Sequence, residues 1–189
     1  FADVDPETFN ILPKDIEKKI TKKTKAIIPV HYGGQSCDMN EIMKIAKKYR
    51  LNVIEDCAHA LGSTYFDKKC GSIGEFGCFS FYPTKIITTG EGGMVTCKNP
   101  KLFKKINLFR SQALSISAKH REKIAQWKYD ILDLGYNYRL DELRSSLGYS
   151  QISRLSEINK KRIKIASEYT KLINKINGII TPKIKPNRN

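Results

Sequence analysis

Short apolar runs alternate with longer amphipathic segments along the first two-thirds of the chain. The run at 24–32 ("TKAIIPVHY") closes at two glycines and predicts a buried strand. The segment at 38–50 ("DMNEIMKIAKKYR") has apolar residues at helical spacing, with Asp38 at the expected N-cap. Further strands are predicted at "LNVIED", "FGCFSF" and "GGMVTC", and a further helix at "KNPKLFKKINLFR". This alternation with short links predicts an α/β fold around a largely parallel sheet.

Towards the end of the chain, the apolar residues recur at helical spacing over a long segment. An apolar series at helical spacing predicts a side that faces the core, and its members are Leu140, Leu143, Leu147, Leu155 and Ile158. Gly148 weakens the centre of this segment without ending it. We expect one long helix or two at 140–176, followed by the first strand of another domain within 177–189.

Charge and cysteine content narrow the classes of partner. The formal net charge of +15 invites a nucleic-acid interpretation, which stays as a minority alternative. The lysines are spread over the helical segments without interleaved aromatic residues, and they suit an anionic small substrate equally well. The five cysteines show no spacing typical of a metal site, which favours reduced core thiols in a cytoplasmic protein. No apolar run approaches the length of a membrane span, so we expect a soluble protein.

The segment "VIEDCAHALGS" at 53–63 contains the first candidate site residues. Its apolar strand ends in Asp56, and His59 follows three residues later. A carboxylate at the carboxyl end of a parallel strand lies where open α/β folds bind ligands. Taken alone, Asp56 also fits a helix cap, and His59 fits a turn residue whose hydrogen bonds are satisfied.

The segment "FSFYPTKIITTGEGG" at 79–93 places Lys85 between a strand and a glycine-rich turn. In the strand, Ser80 points away from its two phenylalanine neighbours, so its hydroxyl can face a ligand while the rings pack. Pyridoxal phosphate requires a lysine for its covalent bond, an acid at its pyridine nitrogen and donors for its phosphate. Lys85, Asp56 and Ser80 can supply one each.

These segments resemble the DegT/DnrJ/StrS family of sugar aminotransferases, fold-type I enzymes that depend on pyridoxal 5'-phosphate. The resemblance is carried by "EDCAHALGS", "GSIGEFGCFSFYPTKIITTGEGGMV" and "LGYNYRLDELRSSLG", and it runs colinearly over nearly the whole chain. It implies a fold-type I large domain at 1–139, with a mostly parallel mixed sheet between helices. Connecting helices at 140–176 then lead into a truncated small C-terminal domain at 177–189. Family members are considerably longer, so we expect a fragment that lacks their upstream phosphate loop and is not necessarily active by itself.

The resemblance also implies roles for individual residues. Lys85 matches the Schiff-base lysine, Asp56 the acid at the pyridine nitrogen, and Ser80 a phosphate ligand. Asn137, in "GYNYRL", matches an asparagine that reaches the cofactor phosphate of the neighbouring subunit, which implies a homodimer with a shared active site. His59 stands where the family places His or Gln near the cofactor ring.

The implied activity is transfer of an amino group, from L-glutamate by family habit, to a nucleotide-diphosphate-linked keto-sugar. Such products serve polysaccharide or glycoconjugate synthesis. A dehydratase branch of the family has histidine at the lysine position, so Lys85 favours transamination. Two alternatives stay open: a non-catalytic regulator of the same fold, and a fold-type I aminotransferase that acts on a keto acid.

Overall fold

The computed structural model describes residues 1–116, 123–125 and 127–188. These residues form two compact units, one of Phe1–Thr96 with Leu143–Asn189 and one of Cys97–Glu142. The helices are α1 Pro13–Lys19, α2 Met39–Tyr49, α3 Pro100–Arg110, α4 Glu142–Ile152 and α5 Leu155–Ile173, with a short 3₁₀ turn at Tyr32–Gly34. The strands are β1 Ala26–Ile27, β2 Asn52–Asp56, β3 Thr64–Tyr65, β4 Lys68–Lys69, β5 Phe76–Ser80 and β6 Gly93–Cys97.

A four-stranded sheet in the order β1-β2-β5-β6 organises the first unit. β2 lies parallel to β1 on one side and to β5 on the other, and Asp56 is paired in register with Cys78. The short strands β3 and β4 form a separate antiparallel hairpin. This arrangement confirms the predicted α/β class with parallel strands.

One face of the sheet is covered because α2 has a continuous apolar side. Met39, Ile42 and Ala46 of this helix are buried together with Ile27 and Val53 of the sheet. The spacing of three and four residues between the helical members places them on one side of the helix. The predicted amphipathic helix therefore packs as its pattern requires.

Two local predictions differ from the structure. The strand predicted at 24–32 is regular only over Ala26–Ile27, since Pro29 has no N–H to donate to a neighbouring strand. Parallel pairing resumes at a single bridge between Val30 and Asp56. Asp38 does precede α2, but its side chain makes no capping hydrogen bond. It forms ion pairs with Lys185 and Arg188 instead.

The predicted core-facing series in the last helices is wrong for two of its members. Leu143 is 86% exposed and Leu147 is 44% exposed. Leu155 and Ile158 are half-buried. A helical period shows that a helix has an apolar side, but it carries no information on what covers that side.

The segment after α5 forms no regular strand within its described residues, 174–188, and its β-pairing there is limited to a bridge between Arg188 and Tyr65. The domain boundaries expected from the resemblance stay a prediction. Residues 117–122 and 126 of its first domain, and residue 189 of its last, lie outside the described residues. Within the described part of the chain, no helix combines the length and apolarity that crossing a bilayer requires.

Glu55 is a fully buried carboxylate that accepts four hydrogen bonds. Its Oε1 accepts from the backbone N–H groups of Ile73 and Gly74, both at 2.7 Å. Its Oε2 accepts from the backbone N–H of Gly71 at 2.8 Å and from His31 Nε2 at 3.0 Å. These donors satisfy the charge that the strand takes into the interior.

His31 is buried as completely as Glu55 and is held at both ring nitrogens. Its Nδ1 accepts the backbone N–H of Cys37 at 3.1 Å, so the ring proton lies on Nε2 and is donated to Glu55. Its backbone N–H donates to the carbonyl oxygen of Asp56 at 3.1 Å. The pair therefore fixes the chain on both sides of the strand end.

Burial alone would raise the pKa of Glu55, but hydrogen bonds from His31 and three backbone N–H groups outweigh burial and lower it. A carboxyl group whose pKa is lower in the folded state stabilises the fold above its unfolded pKa. That contribution is lost as the pH falls through the folded pKa. Glu55 therefore contributes stability at neutral pH that acid removes.

We predict that Glu55→Gln lowers the free energy of unfolding of the whole protein by about 3 kcal/mol or more. The glutamine carboxamide replaces one carboxylate oxygen with an NH₂ group, which cannot accept the two hydrogen bonds that this oxygen accepts. At least two hydrogen bonds are therefore lost. Denaturant unfolding at pH 7 measures the change. The difference between parent and variant should shrink as the pH falls below the ordinary carboxyl range.

Glu41→Gln is the matched control, since Glu41 is exposed and, among the described residues, pairs only with Lys44 one turn along α2. Its effect should stay within about 0.5 kcal/mol. Equal effects of the two substitutions would contradict the structural role given to Glu55.

Candidate active site at the edge of the sheet

Asp56 and Ser80 are the last residues of two adjacent parallel strands, β2 and β5. Asp56 is in register with Cys78, and side chains two apart on a strand share a face, so Asp56, Cys78 and Ser80 face the same side. All three are half-buried. The sheet therefore places a carboxylate and a hydroxyl on one face at its carboxyl edge.

The Asp56 carboxylate is oriented by its own turn. Its Oδ1 accepts the backbone N–H of Ala58 at 3.0 Å. Within the part of the chain that the structure describes, Oδ2 accepts no hydrogen bond and is free for a ligand. The carboxylate contributes, after burial, to raising the pKa of the neighbouring Cys78 thiol, which agrees with the shared face.

Ser80 lies at the start of the loop that contains Lys85. The Ser80 hydroxyl oxygen accepts the backbone N–H of Tyr82 at 3.4 Å, a long bond that leaves the hydroxyl proton available. Lys85 follows in a turn closed by its own N–H, which donates to the carbonyl oxygen of Tyr82 at 2.9 Å. The Lys85 side chain is half-buried, in contrast with the exposed lysines of the helices.

His59 is exposed in the turn after Asp56, and its ring meets the ring of Tyr32 edge-on at a centroid distance of 5.9 Å. The turn around Tyr32 depends on glycine, because Gly34 has φ +91 and a Cβ there would lie 3.2 Å from the His59 carbonyl oxygen. His59 thus has an aromatic neighbour and an open side at the same sheet edge.

Asn137 lies in the second unit, where its side chain is exposed. It forms an antiparallel bridge with Ser111. The flanking rings of Tyr136 and Tyr138 stack at 5.0 Å with 7° between their planes. The backbone of this segment is therefore held in place, while the Asn137 side chain is exposed and makes no hydrogen bond within the described part of the chain.

The five cysteines are free thiols, in agreement with the sequence prediction. Burial raises the pKa of Cys57, so this thiol stays protonated at neutral pH. Cys57 lies next to Asp56 in sequence but is 1% exposed and belongs to the packed interior. It is a structural neighbour of the site.

The sequence interpretation overlooked two residues that shape the site. Side chains alternate between the two faces of β2, so Glu55 lies on the same face as the buried Val53, and its carboxylate points towards the core, which requires buried donors. Gln151 of α4 bonds to the backbone of Thr88, three residues after Lys85. The first carries a sequence signal in its alternation, whereas the second has none.

The sequence profile of the DegT/DnrJ/EryC1/StrS aminotransferase family matches residues 1–189. Relatives include the spore coat polysaccharide biosynthesis protein SpsC of Bacillus subtilis, 42% identical over 96% of this chain and 47% of the relative. The GDP-perosamine synthase of Escherichia coli O157:H7 is 42% identical over 93% of this chain and 46% of that enzyme.

A solved aminotransferase structure from Psychrobacter cryohalolentis superposes with a TM-score of 0.91 at 35% identity. The superposition covers 100% of this chain and 50% of that structure. The chain thus spans about half the length of the proteins it matches. With the parallel sheet and the residues at its edge already described, the match over all 189 residues shows that the chain belongs to the DegT/DnrJ/EryC1/StrS aminotransferase family.

Proposed function

We propose that this chain provides the cofactor-binding centre of a pyridoxal phosphate-dependent aminotransferase that acts on a nucleotide-diphosphate-linked keto-sugar. The observation that carries the proposal is the meeting of Asp56 and Ser80 on one face of adjacent parallel strands, with Lys85 in the next loop. These are the residue types that the cofactor requires of its protein.

The residues fit the cofactor at its three polar positions. A carboxylate with one unengaged oxygen, Asp56 Oδ2, suits a protonated pyridine nitrogen. The Ser80 hydroxyl suits the phosphate, and the half-buried amine of Lys85 suits the aldehyde. When bound, pyridoxal phosphate supplies an electron sink that stabilises negative charge at a substrate carbon.

Each side chain then has a task in the reaction. Lys85 would hold the cofactor through Nζ, and its amine, when not attached to the cofactor, would act as the general base that accepts the proton from the donor's α-carbon. Asp56 holds the proton on the pyridine nitrogen by its charge. Ser80 and Asn137 hold the phosphate, with Asn137 reaching it from the second subunit of a homodimer. His59 borders the cofactor ring from the exposed side of its turn.

The substrate class rests on the relatives and on charge. One relative is named as a GDP-perosamine synthase and another as a spore coat polysaccharide biosynthesis protein. A net charge of +15 favours an anionic diphosphate. We propose L-glutamate as the amino donor and the cytoplasm, where free thiols persist, as the compartment.

Lys85→Ala should abolish covalent attachment of pyridoxal phosphate, because no other half-buried amine lies at this sheet edge among the described residues. The whole protein is loaded with the cofactor, reduced with borohydride and mapped by peptide mass. We expect a phosphopyridoxyl group on Lys85 in the parent and none in the variant. Lys68→Ala, which removes an exposed lysine, should leave the adduct intact. Label spread over many surface lysines in the parent would refute the assignment.

Asp56→Asn should still bind the cofactor but slow the first half-reaction, because a neutral amide no longer favours a protonated pyridine nitrogen. We expect a loss of roughly a hundredfold or more in the single-turnover rate with L-glutamate. Asp67→Asn removes an exposed carboxylate and should change nothing. Equal rates for Asp56→Asn and the parent would remove the role given to Asp56.

The substrate class is tested by discharging the aminated cofactor. A nucleotide-diphosphate keto-sugar should return the absorbance of the original cofactor form at least tenfold faster than a plain keto acid at equal concentration. The reverse order would favour a keto-acid aminotransferase. If neither compound discharges the cofactor, and the protein binds DNA with an affinity that falls steeply as salt is added, the regulatory alternative is favoured.

A further inference from the structure

The loop that carries Lys85 leaves β5 and returns to β6 through a narrow neck. The Phe81 N–H donates to the Gly92 carbonyl oxygen at 2.9 Å, and the Phe81 carbonyl oxygen accepts the Thr89 N–H at 3.0 Å. Ile87 and Thr89 are almost completely buried. The loop is thus anchored at its neck and along its second half, while its first half, which precedes Lys85, is exposed.

The Thr88 backbone is held from outside the loop by one side chain. The Thr88 N–H donates to Gln151 Oε1 at 3.1 Å, and Gln151 Nε2 donates to the Thr88 carbonyl oxygen at 3.0 Å. The carboxamide therefore pairs with Thr88 as a neighbouring strand would. Gln151 belongs to α4, and 63 positions separate it from Thr88 in the chain.

The same side of α4 approaches the loop closely at a glycine. A Cβ at Gly148 would lie 2.9 Å from the Thr89 methyl carbon. Gly148 and Gln151 are three residues apart and so lie on one side of the helix. The glycine lets the helix approach, and the glutamine then reaches the loop backbone.

We propose that Gln151 is a positioning residue that fixes the Lys85 amine through the Thr88 backbone, an inference that rests on the proposed aminotransferase function. Lys85 is three residues before Thr88, and its own turn is closed by the bond from its N–H to the Tyr82 carbonyl oxygen. When Lys85 is not bound to the cofactor, the loop alone must return its amine to the reacting carbon. A small misplacement there costs a large factor in rate.

The test compares Gln151→Ala and Gln151→Glu with the parent in the whole protein loaded with pyridoxal phosphate. Gln151→Glu keeps an acceptor for the Thr88 N–H but loses the donor to the Thr88 carbonyl oxygen. Gln35→Ala is the control, because Gln35 makes the same pair of bonds to Lys183 and Lys185. Readouts are backbone hydrogen exchange of the loop at 81–92, borohydride trapping at Lys85, and kcat and KM with L-glutamate.

In Gln151→Ala, the Thr88 amide should exchange roughly tenfold faster, as expected for one lost hydrogen bond. Lys85 trapping and kcat should each fall roughly tenfold, with KM within about a factor of two, because positioning acts on the reaction rather than on binding. Gln151→Glu should lie between the alanine variant and the parent. Gln35→Ala should speed exchange of the Lys185 amide, which donates to Gln35, and leave the Lys85 loop, its trapping and kcat unchanged.

Faster exchange in the loop with unaltered trapping and kcat would overturn the proposal, because Gln151 would then be purely structural. Unaltered exchange would overturn it by removing the contact itself. If the alanine variant does not fold, the same comparisons apply to Gln151→Glu. A parent that takes no label on Lys85 would overturn the proposed function together with this inference, whereas a labelled parent with unaffected variants overturns the inference alone.

Discussion

The centre of the first unit depends on the hydrogen bonds that the Glu55 carboxylate accepts. Four donors from two separate segments converge on its two oxygens. One segment, 71–74, leads into β5, and the other contains His31, directly after the parallel bridge between Val30 and Asp56. Since a buried charge that lost these donors would cost roughly several kcal/mol, the three stretches must meet at this point. This convergence of three segments also fixes the position of the neighbouring Asp56.

Glu55 and Asp56 are adjacent carboxylates with opposite surroundings. A strand turns alternate side chains to opposite faces, so Glu55 enters the core while Asp56 reaches the sheet edge. Glu55 is saturated with donors, whereas one oxygen of Asp56 is left open within the described residues. The same chemical group thus supports the fold at one position and is available to a ligand at the next.

The proposed active site combines parts of unequal rigidity. Asp56 and Ser80 are fixed by strand pairing at the centre of the sheet. Lys85 is on a loop whose anchors are its neck, two buried side chains and the carboxamide of Gln151. The proposed roles of Lys85 require an amine that can move on a backbone that stays fixed, which this combination provides. Asn137 belongs to the other unit, and in the proposed function it shares the task of Ser80 from the second subunit.

The sequence by itself determined the elements and the candidate chemistry. Periodicity located α2, β2 and β5, and the ends of the apolar runs located Asp56 and Ser80, because these signals act over a few residues. Only the tertiary structure decided that Asp38 pairs with Lys185 and Arg188 instead of capping α2. It also decided that Gln151 reaches Thr88 and that Leu143 stays exposed. Such contacts join residues that are far apart in the chain. Which residues meet depends on how whole helices and strands pack, and no local sequence pattern encodes that packing.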